Sequence, residues 1–238
     1  MLWSAKYPKE IALPSSWQQL NNGEQYCNLL TQYFSAWFPK ILGYHFLKLG
    51  GLSAEIAYDL FLPHQIILSP EITDTLNKLS KQQNTSFIQA KLTELPFLES
   101  SIDACLLTNI LNFSQDPHQI LREVNRVLID DGYLFLSLFN PISPLLFKRY
   151  FHKKPHDRFL FRHYLLWRII DWLELLNFEI LECKPLLQSQ KISCFSHLVT
   201  IVARKQTYPL TLNPQKICFH KQPLFEPANA FRESILGK

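Results

Sequence analysis

Apolar and polar positions change their period along the chain. After about twenty residues without periodicity, Asn21-Asn22-Gly23 precede Tyr26, Leu29, Leu30, Tyr33, Phe34 and Trp37, which recur at i, i+3, i+4 and i+7. That spacing predicts a helix with one apolar face, ending near Pro39. Short apolar runs follow at Tyr44–Leu49, Gln65–Leu68, Ser86–Gln89, Ile102–Thr108 and Tyr133–Phe139, and each predicts a strand. Helical patterns separate them. Ser53–Leu62 precedes Pro63, and Ser69-Pro70 reads as the cap and first position of a helix running to about Ser80. Asp116-Pro117 starts a helix whose apolar stripe is Ile120, Leu121, Val124, Val127 and Leu128, and Asp130-Asp131-Gly132 predicts a turn before the next strand.

Strands alternating with helices predict an α/β domain, a parallel sheet with helices on both faces. The near-continuous apolar run at Tyr133–Phe139 suits a strand buried on both sides. The pattern then changes. Residues 144–175 read as helical, while Phe178–Cys183 and Leu198–Ala203 read as an antiparallel pair added at one sheet edge. Beyond Lys205, four prolines and little periodicity predict an irregular tail. The expected organisation is an N-terminal arm and helix over 1–40, a domain over 41–205 and a tail over 206–238.

Composition narrows this picture. With 238 residues, 47% hydrophobic and 18% charged, the chain has material for a substantial core, which excludes global disorder. No apolar run reaches the ~18 residues of a membrane span, and the first residues contain no signal-peptide core, so a soluble cytoplasmic protein is expected. Five cysteines form no CxxC pair and no histidine falls at zinc-finger spacing. They read as reduced thiols, and no metal site is expected.

The formal net charge of +4 is too small to dictate a polyanionic partner. Its distribution is more informative. From Lys148 to Arg168 the chain carries seven Lys or Arg against Asp157 alone, interleaved with Tyr150, Phe151, Phe159, Phe161, Tyr164 and Trp167. Such a segment suits an anionic membrane surface, nucleic acid, an acidic small molecule or a partner protein, and the plainer reading is a solvated helix face whose aromatics pack inward.

A family resemblance rests on Leu95-Pro96-Phe97, Asp103, Leu121-Arg122-Glu123, Arg126-Val127-Leu128 and Gly132. These positions resemble the type 11 group of S-adenosylmethionine-dependent methyltransferases. LKLGGLSAEI (47–56), VLIDDGYLFLSLFNPIS (127–143), DWLELLNFEIL (171–181) and IVARKQTYPLTLNP (201–214) resemble an uncharacterised gammaproteobacterial branch of small methyltransferase-like proteins. The resemblance implies a Rossmann-like, seven-stranded class I methyltransferase sheet. It also implies S-adenosylmethionine as cofactor, lying over the carboxyl ends of the first four strands.

In such enzymes a glycine turn after the first strand admits the methionyl group. Acids at three positions then meet the cofactor's amino group, its ribose hydroxyls and its adenine. Carried over residue by residue, the cofactor positions fall on Lys48, Gly50, Gly51, Ile67, Lys91, Leu92 and Asn109. Lys48 stands at the amino-group acid, Ile67 at the ribose acid and Lys91 at the adenine-side acid, while Leu52 replaces the second glycine. A lysine facing the cofactor's ammonium at ~4 Å opposes binding by about 4 kcal/mol at an effective dielectric near 20. A lost ribose acceptor costs ~1.5–3 kcal/mol. Glu55 and Glu71 are the nearby carboxylates that can substitute, and Lys48 with Lys91 can instead favour an anionic ligand.

Asn109 follows the fourth strand, where related enzymes often place a histidine. It can orient a substrate but not act as a base, and no catalytic group is assigned. Asp103 reads as structural. The expected function is methyl transfer to an unknown acceptor through a divergent cofactor site. The alternative is an inactive methyltransferase-fold binding module.

Overall fold

A computed structural model describes residues 11–20, 22–56, 64–73, 76, 84–140, 162–186 and 198–206. Seven strands form one sheet: β1 (His45–Leu49), β2 (His64–Ser69), β3 (Thr85–Gln89), β4 (Ile102–Thr108), β5 (Leu128–Phe139), β6 (Phe178–Leu186) and β7 (Leu198–Lys205). Their order is β3-β2-β1-β4-β5-β7-β6. The first five strands are parallel, and β7 is antiparallel to both β5 and β6. The last strand therefore inserts between β5 and β6. The chain order reverses between β1 and β4, which creates a crevice at their carboxyl ends.

Alternation along the central strands builds two apolar layers. Leu47 and Leu49 of β1 face one side with Cys105 and Leu107 of β4. There they meet helix α3 (Pro117–Val127) through Ile120, Leu121, Val124 and Val127, and helix α4 (Leu166–Leu175) through Ile169 and Leu173. Phe46, Leu106 and Phe135 face the other side, against Tyr26, Leu30 and Phe34 of helix α1 (Gly23–Ser35), with Trp17 and Phe38. This second layer is aromatic. The Phe38 ring stands 5.4 Å from Phe46 and 5.5 Å from Phe135 in edge-to-face contacts, a preferred geometry for the ring quadrupoles. Residues 11–40 thus supply one face of the domain's core.

Several sequence readings are corrected. Ser69 ends β2 and Pro70 lies in a bend, so neither caps a helix. The predicted helix beyond them falls largely outside the described residues, although Leu76 is helical and buried. The helix expected at Ser53–Leu62 is instead α2, Gly50–Ala54, and 57–63 lie outside the described residues. Asp130-Asp131-Gly132 belongs to β5, with Asp131 left-handed (φ 61°) and a register shift opposite Ile102–Ala104. The turn chemistry is spent on a bulge inside a longer strand. Of the helical pattern at 144–175, residues 162–165 are not helical and 166–175 form α4; residues 141–161 lie outside the described residues, and so do the tail from 207, Cys194 and Cys218. Residues Met1–Thr207 cluster as one unit and Tyr208–Lys238 as another. Among the described residues, no helix is long and apolar enough to cross a membrane.

The positions that carried the resemblance on the far side of the sheet form a clamp. Arg126 donates to the carbonyls of Leu95 and Phe97, each at 2.9 Å, and pairs with Glu123 at 2.8 Å. Glu123 accepts from the Leu95 amide at 2.9 Å. The Arg126 hydrogen bonds hold the Glu123 carboxyl below its ordinary range. Asp103 is structural as expected: one carboxylate oxygen accepts from the Tyr44 and His45 amides, both at 2.8 Å. It ties the start of β1 to β4.

Candidate cofactor site

The crevice at the carboxyl ends opens on the Gly50-Gly51 turn. Gly50 leaves β1 at φ +72°, a conformation that glycine adopts without strain. Between β2 and the residues after β4 lies a cleft of about 480 Å³ lined by residues 11–15, Ser69, Pro70, Glu71 and Gln115. Its size falls in the ~300–1,000 Å³ range of small-molecule sites. Glu71 is its carboxylate, exposed just past the end of β2. Ile11, Ala12, Leu13 and Pro14 give it an apolar wall.

The seven cofactor positions carried over from the resemblance do not converge. Lys48 is buried, with 4% exposure, and turns to the same face as Phe46. Its Nζ donates to the Ile56 carbonyl at 3.0 Å. Burial pushes its pKa down to about 8. Ile67 packs with Ala54, Leu76 and Phe87, and Leu92 joins the main core. Lys91 is exposed and lies 4.0 Å from Glu94. The two lysines therefore do not form an anion pocket beside the glycine turn. Gly50 and Gly51 remain at the crevice, and Asn109 lies beside them through its neighbour Ile110, whose Cδ1 would stand 3.2 Å from a Cβ at position 50.

Asn109 is fully buried and left-handed (φ 56°). Its Oδ1 accepts from Ser137 Oγ at 2.7 Å, and its amide donates to the Ser137 carbonyl at 2.9 Å. Its Nδ2 has no hydrogen-bond partner. A buried donor left unpaired costs about 1–3 kcal/mol, and an acceptor atom on a ligand would relieve that cost.

Of the two carboxylates named as substitutes, the structure engages one and leaves the other in the cleft. Glu55 Oε2 accepts from the Trp17 amide at 3.1 Å, so it anchors the N-terminal segment. Glu71 faces the cleft. Glu55 and Trp17 are 38 residues apart, and no local signal marks the pair.

The basic-aromatic segment is described from Arg162 onward. There it docks on the loop after β4: the Arg162 amide donates to the Asn112 carbonyl and Asn112 Nδ2 to the Arg162 carbonyl, each at 2.7 Å. Arg162 also holds the carbonyl of Gln115, the cleft residue, at 3.3 Å.

S-adenosylmethionine fits this site in part. The cleft offers a carboxylate for a ribose diol and an apolar wall for a base. Gly50 and Gly51 do not line it and are packed instead against Leu13, Ile110 and the Ser15 carbonyl.

A methyltransferase domain model matches residues 50–136. The uncharacterized protein YafS of Escherichia coli (strain K12) is 36% identical over 249 residues, covering 96% of each chain. Among solved structures, a SAM-dependent methyltransferase from Methanosarcina mazei shares the fold with a TM-score of 0.52 at 21% identity, over 72% of this chain and 97% of that one. The [4+2]-cyclase SpnF shares it with a TM-score of 0.57 at 15% identity, over 85% and 86%. With the domain match, the seven-stranded order and an alignment to YafS that spans nearly the whole of both proteins, the chain belongs to the type 11 methyltransferase family.

Proposed function

We propose that this protein transfers a methyl group from S-adenosylmethionine to an acceptor, using Glu71 in place of the acid absent at Ile67. The observation that carries this reading is the cleft beside the end of β2, lined by Glu71 together with Leu13 and Ser15, the residues that pack against the Gly50-Gly51 turn. Bound S-adenosylmethionine supplies an electrophilic methyl carbon on a sulfonium.

The chain's own residues position and shield. Glu71 would accept from both hydroxyls of a vicinal diol, and Ile11 and Leu13 would cover the base from water. Gly50 keeps the turn tight. Lys48, drawn away to the Ile56 carbonyl, does not oppose a cationic ligand at contact distance. Asn109 Nδ2, buried and unpaired while Ser137 holds the carboxamide oxygen, is the donor that an acceptor's oxygen or nitrogen would meet. A neutral carboxamide takes no proton, so the acceptor brings its own lone pair. Such a reaction would rely on positioning more than on a protein base.

Calorimetric titration with S-adenosylmethionine and S-adenosylhomocysteine tests this. Saturation below about 100 μM, or about −5.5 kcal/mol, is expected. No heat and no thermal stabilisation at millimolar ligand would overturn it.

One observation favours a second reading, a binding module without methyl transfer: Leu13 and Ser15 stand over the glycine turn. SpnF, named a cyclase, carries the same fold. Absence of turnover with saturable binding would support that reading.

A further inference from the structure

Residues 11–16 run across the glycine turn and are held there from several sides. Pro14 restricts the backbone before Ser15. Ser16 Oγ accepts from the Gln18 amide at 3.2 Å and caps a short 3₁₀ turn, Trp17–Gln19. Trp17 is buried, with 1% exposure, and its indole Nε1 donates to the Leu52 carbonyl at 2.9 Å. Its amide is bound by Glu55. Leu52 and Glu55 follow directly on Gly50 and Gly51, so the strap is fastened to the element that forms the turn.

The two glycines show what the turn accommodates. A Cβ at Gly51 would fall on the Ser15 carbonyl, and a Cβ at Gly50 would stand 3.5 Å from Leu13 Cδ2. Gly51 thus makes room for the protein's own backbone. The cleft itself continues outward between the strap and Glu71.

We infer that the strap divides the crevice, so that the closed protein holds a nucleoside without its amino-acid tail, and the tail of S-adenosylmethionine is admitted only when Leu13 moves off Gly50. The inference rests on the cofactor reading above and adds a ligand preference to it. The physical reason is the mismatch between an aliphatic side chain and a zwitterion. Leu13 and Ile110 offer no partner to an ammonium or a carboxylate, and burying either unpaired is costly. The outer cleft, with Glu71, Ser69 and Gln115 against an apolar wall, matches a sugar diol and a planar base.

The experiment is calorimetry on the full chain with S-adenosylmethionine and 5′-methylthioadenosine, which shares the nucleoside and lacks the amino-acid tail. Wild type and Leu13→Ala are compared through the ratio of the two affinities. Wild type is expected to bind methylthioadenosine at least as tightly as S-adenosylmethionine. Leu13→Ala is expected to shift the ratio about tenfold toward S-adenosylmethionine. Binding of S-adenosylmethionine by the variant alone also supports the strap.

A ratio that moves less than about twofold, with both ligands bound, overturns the strap and leaves the cofactor reading standing. Failure of both proteins to bind either ligand overturns both. Hydrogen exchange needs no variant. The Ser15 amide, held by Gln19 Oε1 at 3.0 Å, is expected to exchange faster with S-adenosylmethionine bound and no faster with methylthioadenosine. Equal protection with both ligands would count against the strap.

Discussion

Two regions of this sheet use their family-like residues in opposite ways. On the β4 side, Arg126 and Glu123 match the family pattern and close a clamp on Leu95 and Phe97, a set of bonds internal to the fold. On the β1–β2 side, the turn keeps Gly50 and Gly51 but lacks the acids, and the chain's own N-terminal segment lies across the glycines. The comparison shows that a family pattern can survive where it holds the protein together and change where it would hold a ligand. It also shows that a glycine's space is not by itself a ligand's space.

The largest effect is expected at the strap's anchor. Trp17→Ala removes a buried indole and its bond to the Leu52 carbonyl while keeping the backbone amide that Glu55 binds, and should cost about 3–5 kcal/mol in urea unfolding. A loss under about 1 kcal/mol would mean that the strap is not part of the core and would erase the contrast.

Lys48 gives a prediction in pH. Its pKa is about 8 in the fold against an ordinary 10.5. Between those values the unfolded chain binds more protons, so stability gains from this group as pH rises from 8 toward 10.5. The gain is about 3 kcal/mol in all. Burial also raises Cys27 to about 11, which works in the opposite direction over part of that range. The measurement is therefore the difference between wild type and Lys48→Met across pH 7–10.5. Parallel curves would show that Lys48 is not charged and buried at neutral pH.

At the clamp, Arg126→Ala should cost about 2–3 kcal/mol, the worth of charged hydrogen bonds to two carbonyls and a carboxylate. It should leave the ratio of S-adenosylmethionine to methylthioadenosine affinity unmoved. A changed ratio would extend the site to the clamp and blur the distinction between the two regions.

The smallest effect is at the cleft. Glu71→Gln should weaken both adenosyl ligands about tenfold, near 1.4 kcal/mol, with midpoint and slope of unfolding unchanged. Undiminished binding would remove Glu71 from the site.

Much of the fold was legible because strands and helices announce themselves locally. The five apolar runs became β1 to β5, and Asp116 caps α3 by accepting from the Gln119 amide at 3.1 Å. The antiparallel pair at the sheet edge was legible as well, although its insertion order was not. Ser69-Pro70 misled because Ser and Pro cap a helix only where the preceding strand has already ended, and here β2 runs through Ser69 to pair with Gln89. The candidate site was the least legible part. Its residue positions could be carried over by motif, but side-chain direction could not: Lys48 sits where an acid is expected and points to a carbonyl eight residues away.

The sequence by itself determined the alternation of elements, a matter of residue type at a spacing along the chain, and its family resemblance marked Glu123 and Arg126 as pattern positions and the usual acids as absent. Only the tertiary structure decided where Lys48 sends its charge, that Glu55 binds Trp17, that Glu71 faces the cleft and that residues 11–16 cross the glycine turn. Those are contacts between segments far apart in sequence. They depend on how the aromatic layer of α1 seats on β1 and β4, and no local period encodes that packing.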